Sequence, residues 1–401
     1  MRIAMIGQKG FEIGQRGGGI EQHVRALSLY LGRRGHEVTV YARKRYDRGD
    51  RGEGSKAGVT VRFVPTVYRK NLEAIVHTFL CTVDALLRDY DIIHYHGVGP
   101  ATLSWIPRLL KPKTRVVVTF HSQDQFHAKW GLFARKYLEF GEWAACEFPH
   151  ATLAVSHVIK IYARNRFHKE VIYIPNGAEV QNVTATDEIK KFGLVAGKYV
   201  LNVGRLVPHK GIHTLIEGFK RIVKEGSDVR RGEGVGMKLA IVGAATYTSD
   251  YEKKLRASIE GRDDILMLGY QSGESLRQLF AHAYLYVQPS ESEGLPVVVL
   301  EAMSYGRPVL VSDIPENLEA MKNAGFSFEN KNVDDLAGKL GELIAHPETV
   351  AEAAKSTQEV VRKHFNWEII AVHTEAVYLS IRGGDRGPGC PRVEGSKNLD
   401  V

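Results

Sequence analysis

Two short stretches carry residue types and spacings suited to handling a phosphorylated ligand. In the first, Gly204-Arg205-Leu206-Val207-Pro208-His209-Lys210-Gly211, an arginine and a lysine stand five residues apart on a loop after a predicted strand. Two cations so placed can converge on one diphosphate, and glycines at both ends permit close backbone approach. In the second, Glu293 and Glu301 flank an apolar run that begins Gly294-Leu295-Pro296-Val297. Carboxylates there can accept hydrogen bonds from sugar or ribose hydroxyls, and the amides of the turn can hold a sugar ring. Pro296 has no N–H to give. A third stretch, Gly17-Gly18-Gly19, follows the first predicted strand and can bring backbone N–H groups to a phosphate at a helix N-terminus. It lacks the G-x-G-x-x-G spacing, and the second strand ends in Tyr41-Ala42-Arg43 without a ribose-binding acid, which disfavours a dehydrogenase.

The elements that must position these residues read as an α/β protein. Predicted strands lie at 2–7, 37–42, 59–64, 91–95, 115–120, 151–155 and 171–173. A second series lies at 199–203, 238–242, 265–268, 285–288 and 308–312, with helical stretches between. Two successive alternating runs predict two doubly wound domains, 1–180 and 187–366, with the linker near Gly177 to Thr186. A last helix is expected over 367–381 and a disordered, Gly- and Pro-rich tail over 382–401. The aromatic residues Trp130, Phe133, Tyr137, Phe140 and Trp143 fall on one broad helical face, which is read as core, with an acceptor or membrane groove as the alternative.

The chain has 401 residues and a net charge of +8, with +11 over residues 1–180 and −3 over 181–401. The basic first half suits an anionic partner such as an acidic membrane surface. No reader motif accompanies it, so nucleic acid is not expected. Cys81, Cys146 and Cys390 are too scattered for a disulfide scaffold or a cysteine zinc site. No signal peptide or membrane span is read, and a cytoplasmic, possibly membrane-peripheral location is expected.

Together, the Glu293–Glu301 pair and Gly204 to Gly211 resemble the signature of retaining family-four glycosyltransferases of the GT-B fold. Gly18-Gly19-Ile20-Glu21 looks like that family's phosphate and acceptor loop, and Pro175-Asn176-Gly177 like its pre-hinge segment. The segments 72–77 and 91–100 are most similar to bacterial members that build surface polysaccharide or cell-envelope glycans. The resemblance spans Met1 to about residue 381. It implies two Rossmann-like domains facing a central cleft: an N-terminal acceptor domain and a C-terminal nucleotide-sugar domain. The last helix would cross back to the first.

The resemblance also implies roles. Arg205 and Lys210 would neutralise the nucleotide diphosphate, Glu301 would accept from the ribose, and Glu293 would contact the donor sugar with the amides of Gly294, Leu295 and Val297. Gly18 and Gly19 would touch the donor phosphates. His121 would stand near the reacting carbon, while Asp124 and His96 would meet the acceptor. Relatives often have His-Gly-x-Asp where this chain has His121-Ser122-Gln123-Asp124. His94 and His96 are expected to point to opposite faces of their strand and so to share no metal. No Asp-x-Asp is read anywhere in the chain, and transfer is expected to need no metal or other cofactor, because the two cations can stabilise the leaving phosphate. The expected substrates are a nucleotide-sugar donor and a glycan or polyprenyl-linked glycan acceptor. A glycoside phosphorylase and a non-catalytic nucleotide-sugar-binding protein are the alternatives.

Overall fold

The computed structural model describes residues 1–12, 17–46, 58–69, 72–123, 132–225, 236–245 and 248–383. The chain divides into two compact units, one of Met1–Gly177 with the chain from Trp367 onward, the other of Ala178–Asn366. Asp124, Lys129, Trp130 and the tail from 384 lie outside the described residues.

The first unit is built on seven strands: β1 (Arg2–Ile6), β2 (Glu37–Ala42), β3 (Val59–Phe63), β4 (Ile92–His96), β5 (Arg115–Phe120), β6 (Ala151–Ala154) and β7 (Ile172–Tyr173). They pair in parallel in the order β3-β2-β1-β4-β5-β6-β7. Helices cover both faces, so the strands are apolar runs such as Ile3-Ala4-Met5-Ile6, all fully buried. The helix Trp367–Arg382 belongs to this unit. Its Trp367, Ile370, Val377 and Tyr378 pack with Ile3, Val24 and Leu27. Glu375 on the same helix pairs with Arg34 at 2.5 Å and with His36 at 2.7 Å.

The second unit carries six strands: β8 (Tyr199–Val203), β9 (Lys238–Val242), β10 (Ile265–Gly269), β11 (Leu285–Gln288), β12 (Val309–Ser312) and β13 (Phe326–Phe328). Their order is β10-β9-β8-β11-β12-β13, again parallel. β13 escapes a reading of the sequence because three residues give no period to detect. In both sheets the strand order reverses direction beside the first strand, between β1 and β4 and between β8 and β11. Such switch points open a crevice at the carboxyl ends of the strands, where open α/β sheets bind ligands.

The aromatic helix is Leu132–Glu147. Its Leu138, Ala144 and Ala145 are buried, but Phe140 and Trp143 stay exposed with their rings 5.6 Å apart. Reading the aromatic face as core is therefore corrected for these two. Helical spacing aligns them, yet the buried stripe runs through the aliphatic residues beside them.

Candidate active site

In the second unit, the predicted cations and carboxylates gather at the switch point. The chain leaves β8 through Gly204 and Arg205 and turns through a short 3-10 helix, Pro208–Lys210. Gly211 ends that turn at φ +64°, and a Cβ there would stand 1.8 Å from the Pro289 carbonyl oxygen. Gly243, leaving β9, would likewise meet the Gly204 carbonyl at 1.8 Å. Only glycine lets the β8, β9 and β11 exit loops lie this close. The Glu291 N–H donates to the His209 carbonyl at 2.8 Å and ties two of these loops together.

This packing brings Lys210 Nζ to 2.5 Å from Glu293 Oε1, both side chains being largely buried. Gln288 Nε2 donates to the same carboxylate oxygen at 2.7 Å. Gln288 is itself held by the Tyr286 hydroxyl, which donates to its Oε1 at 2.6 Å. Burial pushes the Glu293 carboxyl up, but the Lys210 charge and the hydrogen bonds from Lys210, Ser290 and Gln288 outweigh it and hold the group below its usual range. Glu293 is thus an ionised, oriented acceptor. Arg205 is exposed, and its guanidinium has no partner among the described residues.

Pro296 is the N-cap of the helix Val297–Ser304, and Val297 lies in its first turn, where amides have no carbonyl within the helix to bond. Leu295 is buried, and Gly294 precedes it in the turn. Glu301 stands on the same helix, half-buried near Tyr286 and Tyr305. Its carboxylate has no hydrogen-bond partner among the described residues, and burial alone pushes it up to about 7. An unpartnered carboxylate on the helix after β11, and an oriented one paired with Lys210, suit a ligand carrying hydroxyls and a diphosphate.

In the first unit, Gly18 caps the helix Gly19–Arg33. Glu21 reaches back to accept from the Gly18 N–H at 2.8 Å and from the Lys9 N–H at 3.2 Å. A phosphate at this loop would therefore meet Gly19 before Gly18. His121, just beyond β5, is buried with His96, whose Nδ1 lies 3.2 Å from His121 Nε2. His96 Nε2 is engaged by the Met5 sulfur at 3.3 Å, so His96 faces inward as a support of His121.

Two expectations from the sequence are corrected. His94 and His96 lie on the same face of β4, with ring centroids 4.2 Å apart, because residues two apart on a strand share a face. The chain also contains one Asp-x-Asp, Asp89-Tyr90-Asp91. It sits at the amino end of β4, opposite the switch-point crevice, where Asp91 accepts from the Arg2 N–H at 2.7 Å and pairs with Arg382 at 3.1 Å. Sequence reasoning misses His23 and gives Asn176 only as part of the pre-hinge segment. His23 donates from Nδ1 to Asn176 Oδ1 at 2.9 Å, and its ring meets that of His121 edge-on at 4.7 Å. Its place four residues after Gly19 on the first helix was the available signal.

Comparison with known proteins agrees with this fold. The family model described as glycosyl transferases group 1 matches residues 185–360, and the model for Glycosyltransferase Family 4 matches residues 17–182. A phosphatidyl-myo-inositol mannosyltransferase of Mycobacterium leprae is 24% identical over 95% of this chain and 97% of its own. Sucrose-phosphate synthase of Thermosynechococcus elongatus superposes with a TM-score of 0.81 at 21% identity, over 96% of this chain and 100% of its own. The Anabaena protein HepE, solved in complex with UDP-glucose, superposes at 0.74 and 19% identity, over 95% and 100%.

Proposed function

The chain belongs to the group 1 glycosyltransferases and has the GT-B fold, and from that premise we propose that it moves a sugar from a nucleotide-diphosphate-sugar to a glycan or lipid-linked acceptor, with retention at the anomeric carbon and without a metal. The observation that carries this reading is the buried Lys210–Glu293 pair, which joins the loops leaving β8 and β11 at the switch point, with Arg205 on the same β8 exit loop and Glu301 on the helix that follows β11. HepE's complex with UDP-glucose supports a nucleotide-sugar donor. The M. leprae relative, named for phosphatidyl-myo-inositol, supports a lipid-borne acceptor.

Each side chain then has a task. Arg205 supplies an unengaged guanidinium for the diphosphate. The Lys210 ammonium spends one N–H on Glu293 and keeps two for phosphate oxygens. Both offset the charge that grows on the departing phosphate, in a site already organised before reaction. Glu301 accepts from the ribose, while Glu293 and the amides of Gly294, Leu295 and Val297 hold the sugar. His121 stands by the reacting carbon, and the departing phosphate takes the acceptor's proton on the same face of the sugar. Asp124 serves the acceptor, which also meets His96 through His121. Gly19 completes the phosphate contacts, and Gly18 joins it only where Glu21 releases the Gly18 N–H.

A transfer assay with a panel of nucleotide sugars tests this reading. Activity is expected with one donor base, unchanged by EDTA, with product anomeric configuration matching the donor by proton NMR. An inverted product, or activity abolished by EDTA and restored by Mg²⁺, would refute the stereochemical or the metal-free claim respectively. Phosphate-dependent cleavage without added nucleotide would favour a phosphorylase instead.

The acceptor reading extends to a membrane surface. The helix Glu73–Leu86 and its flanks expose Leu72, Phe79, Val83 and Leu87, the last 82% exposed. Their spacing sets them on one helical face, within the half of the chain that carries +11. An apolar stripe in a basic half of the chain suits an anionic leaflet. No helix among the described residues is long and apolar enough to cross a membrane. We expect sedimentation with phosphatidylglycerol vesicles but not with phosphatidylcholine vesicles, and about a tenfold or greater loss in the double variant Phe79→Ser, Leu87→Ser. Equal sedimentation of variant and parent would remove this helix from the membrane reading.

A further inference from the structure

The first unit buries a cluster of imidazoles that its hydrogen bonding leaves incomplete. His23, His96 and His121 are 3%, 1% and 7% exposed, and one nitrogen from each lies within 4.8 Å of the others. Asn176 Oδ1 takes the Nδ1 proton of His23, so His23 Nε2 carries a lone pair, and that atom is buried without a partner. The Met5 thioether can only accept, so His96 Nε2 carries the proton and His96 Nδ1 carries a lone pair. That lone pair accepts from His121 Nε2 at 3.2 Å. Two lone pairs therefore point inward, and one shared proton stands between them and the third ring.

We propose that His23 Nε2, His96 Nδ1 and His121 Nε2 form a site for one Zn²⁺ ion, with a fourth position open to water. Zinc bonds imidazole at about 2.0–2.1 Å in tetrahedral geometry, which places ligand nitrogens about 3.3 Å apart. The His96–His121 pair already stands at 3.2 Å. When the ion enters, the His121 proton moves from Nε2 to Nδ1, so three neutral imidazoles bind without net proton release. Asn176 and Met5 hold the outer nitrogens of the other two rings, as partners of metal-bound histidines ordinarily do. Burial lowers the proton affinity of all three rings, so protons do not compete at neutral pH. A neutral all-nitrogen set without a carboxylate disfavours Mg²⁺ and Ca²⁺. His94 stays outside the site, held by the Tyr378 hydroxyl at 2.7 Å and Thr119 Oγ1 at 2.6 Å.

This site is distinct from any metal need of the transfer reaction. It fixes the His121 ring on the metal, so zinc inhibits; this second half rests on the role proposed above for His121 by the reacting carbon. Binding is tested first, without sugars, by calorimetric titration of the full chain with Zn²⁺ and by the visible absorption of Co²⁺ as a tetrahedral stand-in. The expected result is one ion per chain and at least tenfold weaker binding in His23→Gln. Should that variant unfold by circular dichroism, Asn176→Ala is expected to weaken binding about 10–100-fold by releasing His23. Absence of a tetrahedral Co²⁺ spectrum, or equal affinity in parent and folded variant, overturns the site. Stoichiometric zinc that leaves transfer unslowed overturns the inhibitory half alone, and a protein that binds zinc but transfers nothing counts against the transferase reading rather than the site.

Discussion

Replacing Lys210 with methionine is expected to lower transfer by about two to three orders of magnitude, the range for removing one preorganised donor from a developing anion. It is also expected to destabilise the second unit by about 3–5 kcal/mol at neutral pH, because a buried carboxylate loses its countercharge. The two effects have different origins and separate in a double variant. Glu293 is ionised because Lys210, Gln288 and Ser290 overcome the cost of burial. With Lys210 intact, the lowered carboxyl contributes stability that is present above its ordinary 4.5 and is lost as pH falls through the depressed value. Without Lys210, burial prevails and the carboxyl rises above 4.5, so stability should instead fall as pH rises toward neutrality. Lys210→Met with Glu293→Gln removes both charges and should recover most of the stability and none of the activity. Chemical denaturation of the parent, Lys210→Met, Glu293→Gln and the double variant at pH 5 and pH 8 measures the coupling. Arg205→Ala provides the contrast: an exposed guanidinium without a partner should cost activity yet change stability by no more than about 0.5 kcal/mol. If Lys210→Met kept the parent's pH profile, the buried pair would not govern the ionisation of Glu293.

The sequence made the fold legible where burial is two-sided. The strands of a parallel sheet read as short, largely apolar runs, so β2, β5, β8, β9 and β11 fall at the residues read for them. The Arg205–Lys210 and Glu293–Glu301 stretches were legible because each combines a strand exit, glycines and charge in a few residues. What stayed hidden depends on contacts between distant positions. Lys210 and Glu293 are 83 residues apart, and no local pattern announces that they pair. His23 comes from the helix after β1, His96 from the end of β4 and His121 from just beyond β5, and only the β1–β4–β5 order makes them neighbours. The face of His94 could have been read correctly, since the two-residue period alone decides it. The exposure of Phe140 and Trp143 could not, because helical spacing aligns side chains without saying what covers them.

Glu301 supports a second large effect, one of pH. Burial without a partner holds its carboxyl at about 7, above the ordinary 4.5. A raised folded value means the native state keeps a proton that the unfolded chain releases between these limits. Stability should therefore fall as pH rises from about 4.5 to 7, by up to about 3 kcal/mol, and level off above. Glu301→Gln abolishes that slope, so the variant should match the parent near pH 4.5 and exceed it at pH 8. Ligand binding should run the other way. Ribose hydroxyls donate to the ionised carboxylate and favour its charge, so the free site must release its proton to bind. The dissociation constant of the cognate nucleotide diphosphate should fall as pH rises from 6 to 8, while Glu301→Gln binds more weakly and with a flatter profile. Calorimetric titration in buffers of different ionisation enthalpy reads the proton directly, and release near pH 6.5 is expected in the parent and not in the variant. Binding that strengthened toward acid, or proton release persisting in Glu301→Gln, would move the titrating group elsewhere. Stability that rises at high pH in Glu301→Gln while nucleotide affinity drops is the outcome that ties this buried carboxylate to a ligand, since a residue kept only for packing gains stability on neutralisation and loses no binding.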